Sequence, residues 1–220
     1  MFTFAELTRP QAELAAAALP KSALVPIGVI GLIVFTAIHL SVIAHEGAHA
    51  LAGRSTGRKV LGVKLNSDAT GETATLGPRS GPGLIFTAFA GYLGPSFFGL
   101  GAASLIALGY TGAVLVLALL LLVVMLFLVR NFFGVISVLL NCALLVVFLA
   151  YASAKMQGIA AHGLSWLLLL SGVGYVLTHG SDAADAGNLR RMTHIPKVVW
   201  SLLWLILTVA ALAAGARMLT

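Results

Sequence analysis

Six apolar runs, separated by segments that carry most of the charge, leave this 220-residue chain one solvent to fold in. A helix rises about 1.5 Å per residue, so about 20 apolar residues are needed to cross a bilayer core about 30 Å thick. The runs extend from Leu24 to about Ala52, Leu84 to Leu108, Ala113 to Val129, Phe132 to Ala152, Gly163 to Leu177 and Val198 to Leu212, the last with some extension at both ends. The fifth is short for a full crossing. Only 9% of residues are charged and 60% are hydrophobic. A soluble domain carries about 25% charged residues, so this chain has far more apolar surface than a water-soluble core needs. Hydrocarbon offers backbone groups no partners, which favours helices that satisfy their own N–H and C=O groups. The expected fold is an all-α integral membrane protein of about six transmembrane helices, organised as one domain over residues 1–220. Residues 1–23 form an N-terminal extension. They contain Glu6, Arg9, Glu13 and Lys21 and lack the basic-then-apolar order of a cleavable signal peptide.

The cations set an orientation. Arg54, Arg58, Lys59, Lys64, Arg79, Arg130, Arg190, Arg191 and Lys197 follow odd-numbered runs, whereas Arg9, Lys21, Lys155 and Arg217 fall on the opposite side. The positive-inside rule places the larger set in the cytoplasm and both termini outside. The net charge of +6 thus reads as topology and headgroup anchoring in the lipid bilayer, with no nucleic-acid partner expected. The single cysteine, Cys142, lies within an apolar run, cannot form an intramolecular disulfide and reads as a small core residue.

Two segments break the apolar pattern. Between the first and second runs, Val60–Leu65 and Glu72–Leu76 alternate around Asn66-Ser67-Asp68-Ala69-Thr70-Gly71, which predicts a cytoplasmic β-hairpin over residues 60–76. Inside the first run stands His45-Glu46-Gly47-Ala48-His49. Four-residue spacing stacks two imidazoles on one helix face, close enough to grip one metal ion. Glu46 lies about 100° around the helix from His45, within reach of a water that bound zinc would acidify to a pKa of about 7. It could take that proton and pass it to a leaving amine. Charged groups in lipid cost about 2.5 kcal/mol or more each, so this cluster is expected to face a protein interior or a watery cavity. His49 precedes Arg54 by five residues, or about 7–8 Å of helix, which places the cluster just inside the cytoplasmic edge. A peptide bond hydrolysed there must come from a locally unwound substrate.

Catalytic zinc usually takes three protein ligands. His39 is rotated about 240° from His45 and points elsewhere. His162 falls on the outer side. His179, Asp182, Asp185 and His194 occupy the cytoplasmic segment 179–196 between the fifth and sixth runs and are the candidates for the third ligand. Either aspartate could instead cap a helix or pair with Arg190 and Arg191.

These motifs together resemble the site-2 protease family of intramembrane zinc metallopeptidases, and more closely a compact bacterial branch without a PDZ domain. The resemblance is carried by His45–Ala52, by Asp68-Ala69-Thr70-Gly71-Glu72-Thr73, by Ala90-Gly91-Tyr92-Leu93-Gly94-Pro95, and by Asp185–Trp200 with its Leu189-Arg190-Arg191-Met192-Thr193-His194-Ile195-Pro196 ending. It implies a zinc cofactor, cleavage of a transmembrane protein substrate within or beside the bilayer, and a multi-pass location in a bacterial cell membrane. Counting back without a gap from Leu189 aligns Asp185 with the family's ligand aspartate, whereas the literal Ser181-Asp182-Ala183 triplet favours Asp182. The family's Leu-Asp-Gly motif and its Asn-containing motif in the second core helix are missing here. In the family, strands near the site can pair with an extended substrate, which points to Val63, Leu65, Thr73 and Thr75 as substrate-binding positions. Gly91, Gly94 and Gly99, with Pro95, suit close helix packing or a wall of the substrate cleft. The competing functions are a metal transporter, which would want ligands strung through several helices, and a non-catalytic membrane scaffold descended from a protease.

Overall fold

The computed structural model describes residues 21–180 and 184–220. In chain order the elements are α1 (Lys21–Ser55), β1 (Lys59–Leu65), β2 (Gly71–Leu76), α2 (Pro82–Ala107), α3 (Thr111–Leu128), α4 (Phe132–Tyr151), α5 (Ala154–His179), α6 (Ala184–Thr193) and α7 (Lys197–Leu219). Six helices among the described residues are long and apolar enough to cross a membrane: Ile30–Ser55 of α1, then α2, α3, α4, α5 and α7. The stretch of α1 up to Thr36 belongs to one unit and Ala37–Thr220 forms a second. Everything below concerns the second.

The fifth run is longer than its hydropathy suggests. α5 starts at Ala154 and covers 26 residues, enough for a full crossing. Its first turns are polar in sequence, but the polar groups are spent locally. The Ser153 hydroxyl caps the helix by accepting from the Met156 N–H. Gln157 donates from Nε2 to the Leu149 and Ala152 carbonyls at the end of α4. His162 Nδ1 meets the Gly158 carbonyl one turn back. The segment 179–196 is likewise more ordered than a plain loop, because ten of its residues form α6.

α2 is the central helix, packed on α5 and α7. Small residues make that possible. The Ser165 hydroxyl donates to the Gly99 carbonyl across the α5–α2 contact at 2.9 Å. A Cβ at Gly99 would stand 2.8 Å from the Leu169 backbone nitrogen. Trp204 of α7 stacks on Tyr92 of α2, with ring centroids 4.4 Å apart, and its indole N–H donates to the Phe89 carbonyl. Ala186 and Leu189 of α6 are buried in the same cluster, which fastens α6 to α2 and α7.

The hairpin packs on the helices through β1. β1 and β2 pair antiparallel, with Val63 opposite Thr73 and Leu65 opposite Gly71. Val63 and Leu65 are fully buried against Val42, Leu122, Met125, Val129 and Val138. The turn is closed by Asn66 N–H donating to the Thr70 carbonyl. Asp68 accepts from both the backbone and the hydroxyl of Thr70, which holds its carboxyl below the usual range.

At Gly94 the α2 backbone comes close to the α1 backbone. A Cβ there would fall 2.5 Å from the Ala44 carbonyl oxygen and 2.6 Å from the Ala48 Cβ on α1. Gly94→Ala must therefore push α1 and α2 apart. The expected cost is about 1–3 kcal/mol, the usual penalty of overpacking, read as a lower melting temperature in detergent. Gly101→Ala, at a helical position with open space around the missing Cβ, should not lower it.

Candidate metal centre

Helical spacing puts the His45 and His49 rings on the face of α1 that meets α2, and the first turn of α6 brings Asp185 to the same point. His49 Nε2 lies 3.1 Å from His45 Nε2 and 3.1 Å from Asp185 Oδ2. His45 Nε2 lies 3.4 Å from Asp185 Oδ2. Ligands bonded at about 2.0–2.1 Å to a tetrahedral ion stand about 3.3 Å apart. The three atoms therefore form one face of a tetrahedron of the size zinc takes, and the group could hold a metal ion.

The proton bookkeeping points the same way. His49 Nδ1 sits 2.6 Å from the Thr87 carbonyl oxygen on α2. A carbonyl only accepts, so Nδ1 carries a proton, and neutral His49 presents its lone pair at Nε2. That lone pair faces a carboxylate oxygen. Two acceptors at 3.1 Å need a cation between them, either a proton or a metal. Asp185 is ready to supply the negative charge. Burial pushes its carboxyl up, but the hydrogen bonds and positive charge that His45 and His49 supply when protonated outweigh burial and hold it well below the usual carboxylate range.

The space around the ligand atoms is shaped for them. A Cβ at Gly91 would stand 2.7 Å from His45 Nε2 and closer still to the His49 ring, so only glycine leaves the nitrogens room to converge. The His45 ring is held between Tyr92, edge-on at 5.0 Å, and Tyr175, stacked at 6.0 Å. Its Nδ1 is buried with no hydrogen-bond partner among the described residues.

Glu46 stands beside this group and is 3% exposed. The Thr73 hydroxyl donates to Glu46 Oε2 at 2.5 Å, and the same hydroxyl lies 3.1 Å from the Glu46 carbonyl. His45, Glu46, His49 and Asp185 all line one cavity of about 670 Å³, whose other walls include Gly71, Thr73 and Thr75 of β2, Tyr92 and Tyr175.

The remaining sequence candidates separate. Asp182 lies outside the described residues. His179 lines the cavity but directs Nδ1 at the Thr178 hydroxyl. His194 is exposed in the turn after α6. His39 packs its ring on Phe133 of α4. The side chains of Val63 and Leu65 are buried in the core. Their backbone is also occupied. Arg130 N–H donates to the Val63 carbonyl, and the Asn131 side chain both donates to the Leu65 carbonyl and accepts from the Leu65 N–H. Thr75 accepts from Arg58 Nε. The outer edge of β2 is the one left open, since among the described residues the sheet has two strands.

Gly71, Thr87 and Tyr175 carried no chemical signal in the sequence. Gly91 did, as a small residue in a helix, although its place against the imidazoles depends on tertiary packing. No curated protein and no solved structure matches the chain. A family model described as Peptidase M50B-like matches residues 15–215, nearly the full length, and the chain therefore belongs to this site-2 protease family of membrane metallopeptidases.

Proposed function

We propose that the protein is an intramembrane zinc endopeptidase that hydrolyses a peptide bond within or beside the membrane-embedded part of another membrane protein. The observation that carries this reading is the triangle of His45, His49 and Asp185 atoms, closed to zinc-sized spacing, with an unligated carboxylate, Glu46, in the same cavity. In this reading His45, His49 and Asp185 hold the ion. Bound zinc would acidify a water and polarise the scissile carbonyl.

The protein's own groups do the rest. Thr87 fixes the His49 tautomer through Nδ1, and the two tyrosines hold the His45 ring between them. With Glu46 Oε2 engaged by Thr73, Oε1 is the oxygen left to accept the proton of the attacking water and return it to the departing amine. In an antiparallel pair alternate residues turn their main-chain groups outward. Lys64 opposite Glu72 and Asn66 bonded to Thr70 are the inward pairs, so Gly71, Thr73 and Thr75 present free N–H and C=O groups to the cavity side. An unwound substrate segment adds there as a third strand. The charge rule puts this end of the bundle at the cytoplasmic face, where Arg54, Lys59, Lys64, Arg79 and Arg130 gather.

Wild-type protein purified without chelators and offered zinc is expected to hold about one ion per chain, measured by elemental analysis. His45→Ala, His49→Ala and Asp185→Ala should each lose it. A wild type that holds none sinks the reading and leaves a non-catalytic scaffold. Glu46→Gln should retain zinc and lose activity by about 10²–10⁴-fold, the range for a general acid–base group. The probe is a fluorogenic polypeptide with a Gly- and Pro-containing transmembrane segment, reconstituted with the enzyme in vesicles. Gly91→Ala should weaken zinc binding by at least about tenfold, as changes beside a ligand shell do, seen in competition with a chromophoric chelator.

A further inference from the structure

Strand β2 carries two residues, Gly71 and Thr73, whose same face meets the Glu46 side chain. We infer that this face positions the catalytic carboxylate, with Thr73 as a positioning residue that holds Glu46 in its working rotamer and Gly71 as the space that rotamer needs. The inference rests on the peptidase reading above.

The geometry is specific on both sides of the carboxylate. The Thr73 hydroxyl donates to Oε2 at 2.5 Å, a short hydrogen bond of the kind a carboxylate forms. A Cβ at Gly71 would stand 2.6 Å from Glu46 Cγ, 2.7 Å from Oε1 and 2.8 Å from Cδ. Gly71 has no left-handed backbone that would call for glycine on its own account. Its missing side chain is explained by Glu46. Residues two apart on a strand share a face, so one strand supplies both the donor and the gap. A glutamate side chain has three rotatable torsions, and burial alone does not choose among the rotamers that fit. A donor on one oxygen and a backbone wall beside the other do. The strand that holds the base is also the one with the open edge, so a peptide paired to β2 is placed in register with Glu46 by the same few residues.

The test compares Thr73→Val, Thr73→Ser and Gly71→Ala with wild type and Glu46→Gln on the transmembrane fluorogenic probe, with zinc content and melting temperature measured for each. Thr73→Val keeps the β-branched shape and loses the hydroxyl. It is expected to hold about one zinc, keep KM within about twofold and lose kcat by about ten- to a hundredfold, as expected when a catalytic group is misplaced. Thr73→Ser restores the hydroxyl and should recover most of that loss, which a purely structural role for the threonine would not produce. Gly71→Ala should lower kcat similarly with zinc retained. Thr73→Val with kcat within twofold of wild type overturns the inference, as does a loss that Thr73→Ser fails to recover. A wild type no faster than Glu46→Gln, or one without zinc, is a different failure and removes the peptidase reading itself.

Discussion

A lone pair on His49 Nε2 and a carboxylate oxygen of Asp185 cannot face one another without a proton or a metal ion between them, and the local structure around the site fits that requirement. The Thr87 carbonyl fixes a proton of His49 on Nδ1, so neutral His49 turns the lone pair of its opposite nitrogen to Asp185. His45 completes the triangle from the same helix face. The contributing residues lie 136 positions apart in sequence, and the packing of α2 brings them together. Gly91 lets α2 approach the imidazoles, Gly94 lets it approach α1, and the Tyr92–Trp204 stack joins it to α7 and the α6 cluster. The bilayer sharpens the constraint, because an unpaired charge in a membrane-spanning bundle is costly.

The hairpin solves a related problem. A two-stranded ribbon is marginal on its own. Here one face, with Val63 and Leu65, becomes part of the hydrophobic core, and one edge is closed by the turn between α3 and α4. Asn131 completes that edge by acting as a substitute strand, pairing its amide with both main-chain groups of Leu65. The remaining edge is held rigidly from behind, and its side chains at Gly71 and Thr73 meet Glu46.

Much of this architecture was legible in the chain. The apolar runs marked six spanning helices, alternation marked the hairpin, and the His45–His49 spacing marked a shared helix face. The ungapped count back from Leu189 pointed to Asp185, and α6 runs unbroken from Ala184 through Leu189, as an ungapped count requires. What the sequence hid were features set by tertiary contact. Alternation in Val60–Leu65 tells that one face is buried but not against what, so the packing of Val63 and Leu65 on α1, α3 and α4 was hidden. The start of α5 was hidden because Lys155, Gln157 and His162 lower its hydropathy, while the hydrogen bonds that Gln157 makes to the end of α4 and His162 makes to Gly158 appear only in three dimensions. Gly71 reads as a turn residue in sequence and is the seat of a glutamate in space.

The open edge of β2 offers a partner peptide groups and few side-chain pockets: Gly71 has no side chain, Thr73 is turned to Glu46, and Thr75 to Arg58. Recognition through such an edge reads the extended shape of a chain more than the identity of its residues. For the proposed peptidase, selectivity then lies in the conformational free energy of the substrate. On that reading a stable transmembrane helix would keep its amides to itself and be passed over. A segment weakened by glycine, proline or asparagine would surrender them at lower cost and be captured.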